Sequence, residues 1–296
     1  MNIHPLAVVS PQAQIGCDVR IGPFAIVEDD VVIGEGCQVA GHAVIKNGTH
    51  LGERNTVGES AVLGGLPQHV RCPAETGRLV IGQGNVFREF ATVHRAIKPQ
   101  TATTIGDGNY LMAGAHVAHD CRIGNHVIVA NNVLLAGHVT IDDRSFLSGA
   151  VAVHQFCRVG RMAMVGGHAR VVRDVPPFVT VDGQTGEIVG LNLVGLKRNG
   201  FTPDQIVVLK EAYRLIYRSA LPWREMLARL TGEFSDGPAA PMAEFLNGGT
   251  RGFSQERRRP PGVTLKLRAE AEDAELATVP LPAIAPVDLQ AKADAA

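Results

Sequence analysis

The chain has 296 residues, and its 28 Lys and Arg against 29 Asp and Glu leave it almost neutral, so no chain-wide basic field invites nucleic acid. Aromatic residues make up only 5% while glycine numbers 33, a composition that suits thin repeating layers better than a core of large side chains. The five cysteines, at 17, 37, 72, 121 and 157, form no C-x-x-C pair, and no signal-like leader or long apolar span is present; a reducing cytoplasm and no transmembrane segment are expected.

From Ile3 to Val171 an apolar residue recurs at every sixth position, as in Ile15, Ile21, Val27, Ile33, Val39 and Ile45, or Val117, Ile123, Val129, Leu135 and Ile141. Only His69, Glu75 and Pro99 break the series. Four residues after most anchors stands a small or β-branched residue, such as Ala25, Cys37, Ala115, Cys121 or Cys157, and glycine often follows the anchor itself. A large inward residue, a small inward residue and a turn in every six positions predict a parallel β-helix of hexapeptide repeats over 1–193. Helical periodicity is absent, and glycine recurs in many of the repeats. Three repeats make one triangular coil, so residues about eighteen apart should stack roughly 4.8 Å from one another. Periodicity does not fix the hand of the coil.

Two excursions, about 64–79 and 95–104, interrupt the repeat and are rich in Pro, Gly, Gln or Thr; both can reach outwards over a substrate. A helical domain is expected over 194–254. Thr202, Pro203 and Gln205 read as N-cap, N1 proline and N3 glutamine of a helix running towards Ser219, Pro222 opens another, and a short third is expected near 241–247. The Arg/Pro-rich and then Ala/Pro/Glu-rich stretch 255–296 is expected to be disordered.

Most of the eleven histidines fall in the β-helix. Eighteen residues after His119 stands Gly137, beside His138; thirty-six after it stands Gln155, beside His154. These residues should line one edge over three coils with His116 close by, a plausible active-site wall. Asp120 offers the partner that would fix the tautomer of a histidine base. Two other readings compete. Each histidine could simply bond to turn backbone, or His116, His119 and His138 could hold zinc, as three histidines do in β-helix carbonic anhydrases. No metal is expected, and Cys37, Cys121 and Cys157, in the small inward slot, act as hydrophobes.

Several segments carry a family resemblance: AHVAHDCRIGNHVIVANNVLLAGHVTIDD at 115–143, AVHQFCRVG at 152–160, RDVPPFV at 173–179, GLNLVGLKRNGF at 190–201 and EAYRLIYRS at 211–219. Over about 1–254 the chain resembles the UDP-N-acetylglucosamine O-acyltransferases that open lipid A synthesis. The resemblance implies a left-handed β-helix homotrimer with active sites between subunits. It also implies transfer of a 3-hydroxyacyl group from acyl carrier protein to a UDP-amino sugar, with no cofactor. His119 then matches the general base, Asp120 the acid that steadies it, and Gly137 the backbone donor to the oxyanion. His116, His138, His154 and Gln155 match residues lining the sugar and acyl portions, Asn192 and Arg198 match nucleotide contacts, and Gly167 matches the acyl-pocket position, where glycine favours chains longer than ten carbons.

There are departures. His69 and Arg71 stand where the family usually presents Asp and Lys to the sugar nucleotide, Val194 where Glu is frequent, and Asn199 where a second Arg is common. The base machinery is kept while acceptor contacts change. An N-acyltransferase of the same fold, acting on an amine, resembles the helical segments less. A non-catalytic scaffold is the other class of reading, since 194–259 carries eleven Lys and Arg against seven Asp and Glu and could meet an acidic carrier protein.

Overall fold

The computed structural model describes residues 2–257. Short parallel strands, nearly all of two residues, build three sheets of eleven, nine and eight strands that form the faces of a triangular prism. Face 1 begins with Asn2–Ile3, face 2 with Val8–Val9 and face 3 with Gln14–Ile15, and the chain visits the faces in that order. Along the two-residue strands the first residue points out and the second in, as Val44 and Ile45 do on face 2. The inward anchors Ile21, Val39, Leu63, Val117 and Leu135 are sealed from solvent. Cys37, Cys121 and Cys157 fill small inward slots, and burial pushes the Cys121 thiol up to about 12.

Register follows the eighteen-residue coil where the repeat is unbroken, with Ile21 beside Val39 and Val39 beside Val57. Across the excursions Val57 pairs with Phe87, and Phe87 with Leu111, so the loops add twelve and then six residues and the anchors stay in phase. The sheets claim more of these segments than expected, because Val62–Gly65, Arg78–Ile81 and Ala102–Ile105 are strands. Residues 66–77 and 95–101 are what leaves the prism.

Three further slots hold buried asparagines, which the periodicity did not single out. Asn55 Oδ1 accepts from the Asn85 amide nitrogens, Asn85 Oδ1 from those of Asn109, and Asn109 Oδ1 from Val127 N–H, all at 2.7–2.9 Å. This ladder satisfies polar atoms that would otherwise cost about 1–3 kcal/mol each.

Between faces the chain turns a corner on two residues, and the second adopts a left-handed conformation, as in Asp120, His138 and Phe156 with φ of 59°, 62° and 66°. The two ends of the prism differ. In the first coil Ile3, Val9 and Ile15 are only half-buried, with no layer beneath them. The other end is closed by an antiparallel hairpin, Val179–Val181 with Ile188–Leu191, and by four helices.

Helix α1 spans Leu193–Arg198, α2 Pro203–Arg218, α3 Trp223–Glu233 and α4 Ala240–Asn247. Thr202 and Gln205 cap α2 reciprocally, as the sequence predicted; α1 was not anticipated. Leu196, Leu209, Leu230, Met242 and Phe245 pack with Met162 and Phe178 of the prism into a second apolar core. Arg158 ties α4 to the last coil: its Nε meets buried Asp174 at 2.8 Å, its Nη2 donates to Phe245 O at 2.8 Å, and the guanidinium lies over the Phe245 ring. The chain then returns along the hairpin, where Ile188 N–H donates to Gln255 O and Arg257 N–H to Ile188 O. Residues 255–257, read from sequence as the start of a disordered tail, are thus seated in sheet-like pairing; 258–296 lie outside the described residues.

Candidate active site

The edge between faces 2 and 3 gathers the histidines. After the anchors Val117, Leu135 and Val153 come the corners His119–Asp120, Gly137–His138 and Gln155–Phe156, one above another. His119 is buried, and its Nδ1 meets Asp120 Oδ2 at 2.9 Å. The left-handed φ of Asp120 turns its side chain back along the edge, so these sequence neighbours face each other.

What seats the carboxylate comes from the second excursion. Ile97 N–H donates to Asp120 Oδ2 at 3.2 Å, and the Thr101 hydroxyl lies 3.3 Å from Oδ1. Buried Thr103 accepts the Asp120 N–H at 2.8 Å. The loop read as a cover over substrate is also the support behind the His119–Asp120 pair.

Four more imidazoles surround this pair. The His138 ring stands edge-on to His119 with centroids 5.3 Å apart, and stacks flat on Phe156 at 4.6 Å. His69, from the first excursion, reaches the other side of His119 at 5.9 Å, while neighbouring Arg71 is exposed. His116 bonds through Nδ1 to Thr92 Oγ1 at 2.8 Å and lies against His94, 5.2 Å between centroids. His94 and Phe156 were missed by sequence reasoning. The loops shift His94 out of simple register, and Phe156 was passed over as an ordinary corner residue beside Gln155.

Burial holds His94, His116 and His138 below the usual histidine range, with the His94 imidazole adding to the effect at His116 and the Lys98 ammonium at His138. Those rings are therefore neutral near pH 7 and act as hydrogen-bonding walls. His154 and Gln155 sit one coil beyond His138, and His154 Nδ1 is 2.9 Å from Arg251 Nη2.

Gly137 is required by contact. A Cβ there would fall 2.5 Å from His119 Cε1 and 2.8 Å from Nε2. Its carbonyl accepts from Phe156 N–H, but among the described residues no acceptor reaches its own N–H, as at other first-corner positions such as Gly149. At 137 that free donor stands beside an imidazole.

The remaining expected residues are not brought to this edge. Gly167 follows the anchor Val165 and lies between faces 1 and 2, stacked on Gly149. Asn192 and Arg198 belong to α1, which sits over the corner between faces 3 and 1, where Arg144 bonds Asn199 at 2.8 Å. Asn192 has structural work: its Oδ1 caps α1 at Gly195 N–H and its Nδ2 donates to Met162 O, both at 2.9 Å. Arg198 is exposed. Within one chain the three groups occupy three different edges.

A metal is geometrically conceivable at one place. Ligand atoms of His119, Asp120 and His138 lie within 4.8 Å of one another. That set differs from the zinc reading of the sequence, since His116 is turned to Thr92 and His94. An ion there would have to take the Asp120 oxygen away from the His119 ring.

The family model described as "Udp N-acetylglucosamine O-acyltransferase; Domain 2" matches residues 174–254, and the six-repeat bacterial transferase hexapeptide model matches 12–47 and 102–137. Proteins of Burkholderia lata and Burkholderia pseudomallei named acyl-(acyl-carrier-protein) UDP-N-acetylglucosamine O-acyltransferase are each 48% identical over 258 residues, covering 85% of this chain and 98% of theirs. The UDP-N-acetylglucosamine acyltransferase structure from Francisella novicida superposes with a TM-score of 0.82 at 36% identity, covering 86% of this chain and 94% of its own. The Moraxella catarrhalis O-acyltransferase structure gives 0.83 at 36% identity, covering 86% and 100%.

Proposed function

The chain belongs to the UDP-N-acetylglucosamine O-acyltransferase family, and from that premise we propose that the histidine edge is its catalytic machinery, with His119 as general base. The fold is the left-handed β-helix with C-terminal helices, and the reaction is acyl transfer from acyl carrier protein to UDP-N-acetylglucosamine, the opening step of lipid A synthesis. The observation that carries the mechanism is the 2.9 Å contact of His119 Nδ1 with Asp120, beside the free Gly137 N–H.

Asp120 accepts a hydrogen bond from Nδ1–H, which leaves Nε2 with its lone pair free. Nε2 removes the proton of the sugar 3-hydroxyl while that oxygen bonds to the thioester carbonyl carbon of a 3-hydroxyacyl group. The oxyanion is held by Gly137 N–H. Collapse breaks the carbon–sulfur bond, and the imidazolium returns its proton to the departing pantetheine thiolate. Asp120 stabilises the imidazolium between these steps, and the neutral rings of His116 and His138 line the space without adding positive charge that would oppose it. His69, Arg71, His154 and Gln155 contact the sugar nucleotide, with Arg71 suited to phosphate.

The three-edge distribution supports a homotrimer. In a threefold assembly the edge bearing His119 of one copy meets the edges bearing Gly167 and α1 of its neighbours, which completes the acyl groove and adds Asn192 and Arg198 to the nucleotide site. The reaction needs no metal or other cofactor, because the acid, the base and the oxyanion donor all come from the chain. No described helix is long and apolar enough to cross a membrane, which is compatible with work in the cytoplasm.

The test is product analysis with purified protein, a panel of 3-hydroxyacyl carrier proteins, and both UDP-N-acetylglucosamine and its 3-amino analogue. An ester on the 3-hydroxyl is expected, with a preference for chains longer than ten carbons. Acylation of the amine alone would overturn the acceptor. Full activity of protein stripped by a strong chelator is expected; loss restored by zinc would replace this mechanism with a metal-based one.

A further inference from the structure

We propose that Arg251, on the strand that returns over the last coil, is a binding residue for the diphosphate of the sugar nucleotide, acting with His154. This rests on the functional reading above and adds a cation that the chain's own resemblance did not supply.

The segment holding Arg251 is fixed to the prism. Asp174 N–H donates to Gly252 O and Ser254 N–H to Asp174 O, both at 2.9 Å, and Phe253 stacks on Trp223 of α3. Arg251 is thereby held on the edge between faces 2 and 3, where its Nη2 meets His154 Nδ1 at 2.9 Å. His154 opens the corner two coils above the one that bears His119, which places it about 10 Å along the edge from the base.

The guanidinium is an unbalanced charge. Among the described residues no carboxylate pairs with Arg251; its side chain meets the His154 ring and the Cys157 thiol, neither of them an anion, and its Nε is buried without a hydrogen bond. By contrast Arg158, a few residues away in space on the same last coil, is fully engaged with Asp174 and Phe245 O. A half-buried cation left without an anion beside a reaction centre is poised for an anionic ligand.

The contact also sets the tautomer of His154. A guanidinium can only donate, so at 2.9 Å the Nδ1 atom must accept and the ring proton resides on Nε2. The 3.1 Å approach of Nδ1 to Gln155 O is then a close contact without a shared proton. Arg251 and His154 Nε2–H together offer two donors to the same ligand.

Two substrates bring phosphate to this edge: the diphosphate of the acceptor and the phosphodiester of the carrier protein's pantetheine arm. The reacting hydroxyl and the diphosphate are separated by one sugar ring, whereas the thioester and the arm's phosphate are separated by the whole pantetheine chain. The separation of about 10 Å between the base and this corner favours the acceptor.

The experiment is calorimetric binding of UDP-N-acetylglucosamine to the full chain, alongside steady-state kinetics in both substrates, for wild type, Arg251→Met and Arg251→Lys. Loss of one charged hydrogen-bond donor is expected to weaken acceptor binding about ten- to a hundred-fold in Arg251→Met. Arg251→Lys should regain part of it, with KM for the acyl carrier protein and the melting temperature unchanged. Unaltered acceptor affinity in both variants, or a change confined to the carrier-protein KM, overturns the proposal. Wild-type protein that binds no UDP-N-acetylglucosamine would instead overturn the functional reading on which it stands.

Discussion

The edge between faces 1 and 2 and the edge between faces 2 and 3 have the same backbone. Both turn on two residues, both place the second in a left-handed conformation, and both have first-corner N–H groups that no acceptor reaches among the described residues, as at Gly149 and Gly137. Only one of them gathers imidazoles around a carboxylate; the other carries the separate His42 and His168. The other shows Ala113, Asn131, Gly149 and Gly167 in the equivalent column. The repeat therefore leaves amide donors free on both edges, and the histidine edge differs in the side chains and the excursion that add an imidazole and a seat for its carboxylate partner.

The sharpest way to break this contrast is to remove what distinguishes the histidine edge. His119→Ala should lower kcat by about a hundred- to ten-thousand-fold with little change in KM, measured by product formation at saturating substrates. Gly137→Ala should come close to it, because the added methyl would occupy the space of the His119 ring. The matching change on the bare edge, Gly149→Ala, meets only Asn131 O at 3.6 Å and should leave kcat within a factor of two or so. Equal losses at the two glycines would dissolve the distinction.

A smaller effect is expected from the bare edge itself. Gly167→Met would fill the groove beside Gly149, and each methylene of substrate denied burial costs about 0.8 kcal/mol. Competition between carrier proteins bearing acyl chains of different length should shift towards the shorter ones, with the shorter substrate's kcat retained. Unchanged selectivity would show that the neighbouring edge takes no part in holding the chain.

The smallest effect is on stability against pH. His94, His116 and His138 are held below the unfolded histidine value of about 6.5. Between that value and their lowered ones the unfolded chain binds protons that the folded chain refuses, so stability is lost as pH falls through this window and is fully present above it. The melting temperature should decline from pH 7 towards pH 5, and less steeply in His116→Gln. A melting temperature that rises on acidification would contradict the buried, neutral rings.

Much of this was legible before any coordinates. The six-residue recurrence specifies the prism because each inward slot repeats the same steric demand, and the broken anchors His69, Glu75 and Pro99 mark where the chain leaves it. His119 and Asp120 were paired from adjacency alone, although sequence neighbours can point apart; the left-handed Asp120 backbone that turns them together is visible only in the structure. Less visible was whatever depends on a loop folding back: Ile97 and Thr101 holding Asp120, or His94 reaching His116 after an insertion has shifted its count. The capping of α1 by Asn192 was also not legible, because the sequence match to a nucleotide contact says nothing of the helix it precedes. The split of Gly167 from His119 was available all along, as their separation is not a whole number of coils.

The unequal ends of the prism give the molecule a direction of failure. In a stack where every rung is steadied by its neighbours alone, the terminal rung with one neighbour is the first to let go. The coil of Ile3, Val9 and Ile15 has nothing below it, whereas the opposite end is bolted by the hairpin, the helices and the Arg158 clamp. Amide exchange should therefore climb like a slow zipper from the amino-terminal rung, and the carboxylate seat behind the base, several rungs up, should be among the later parts to open.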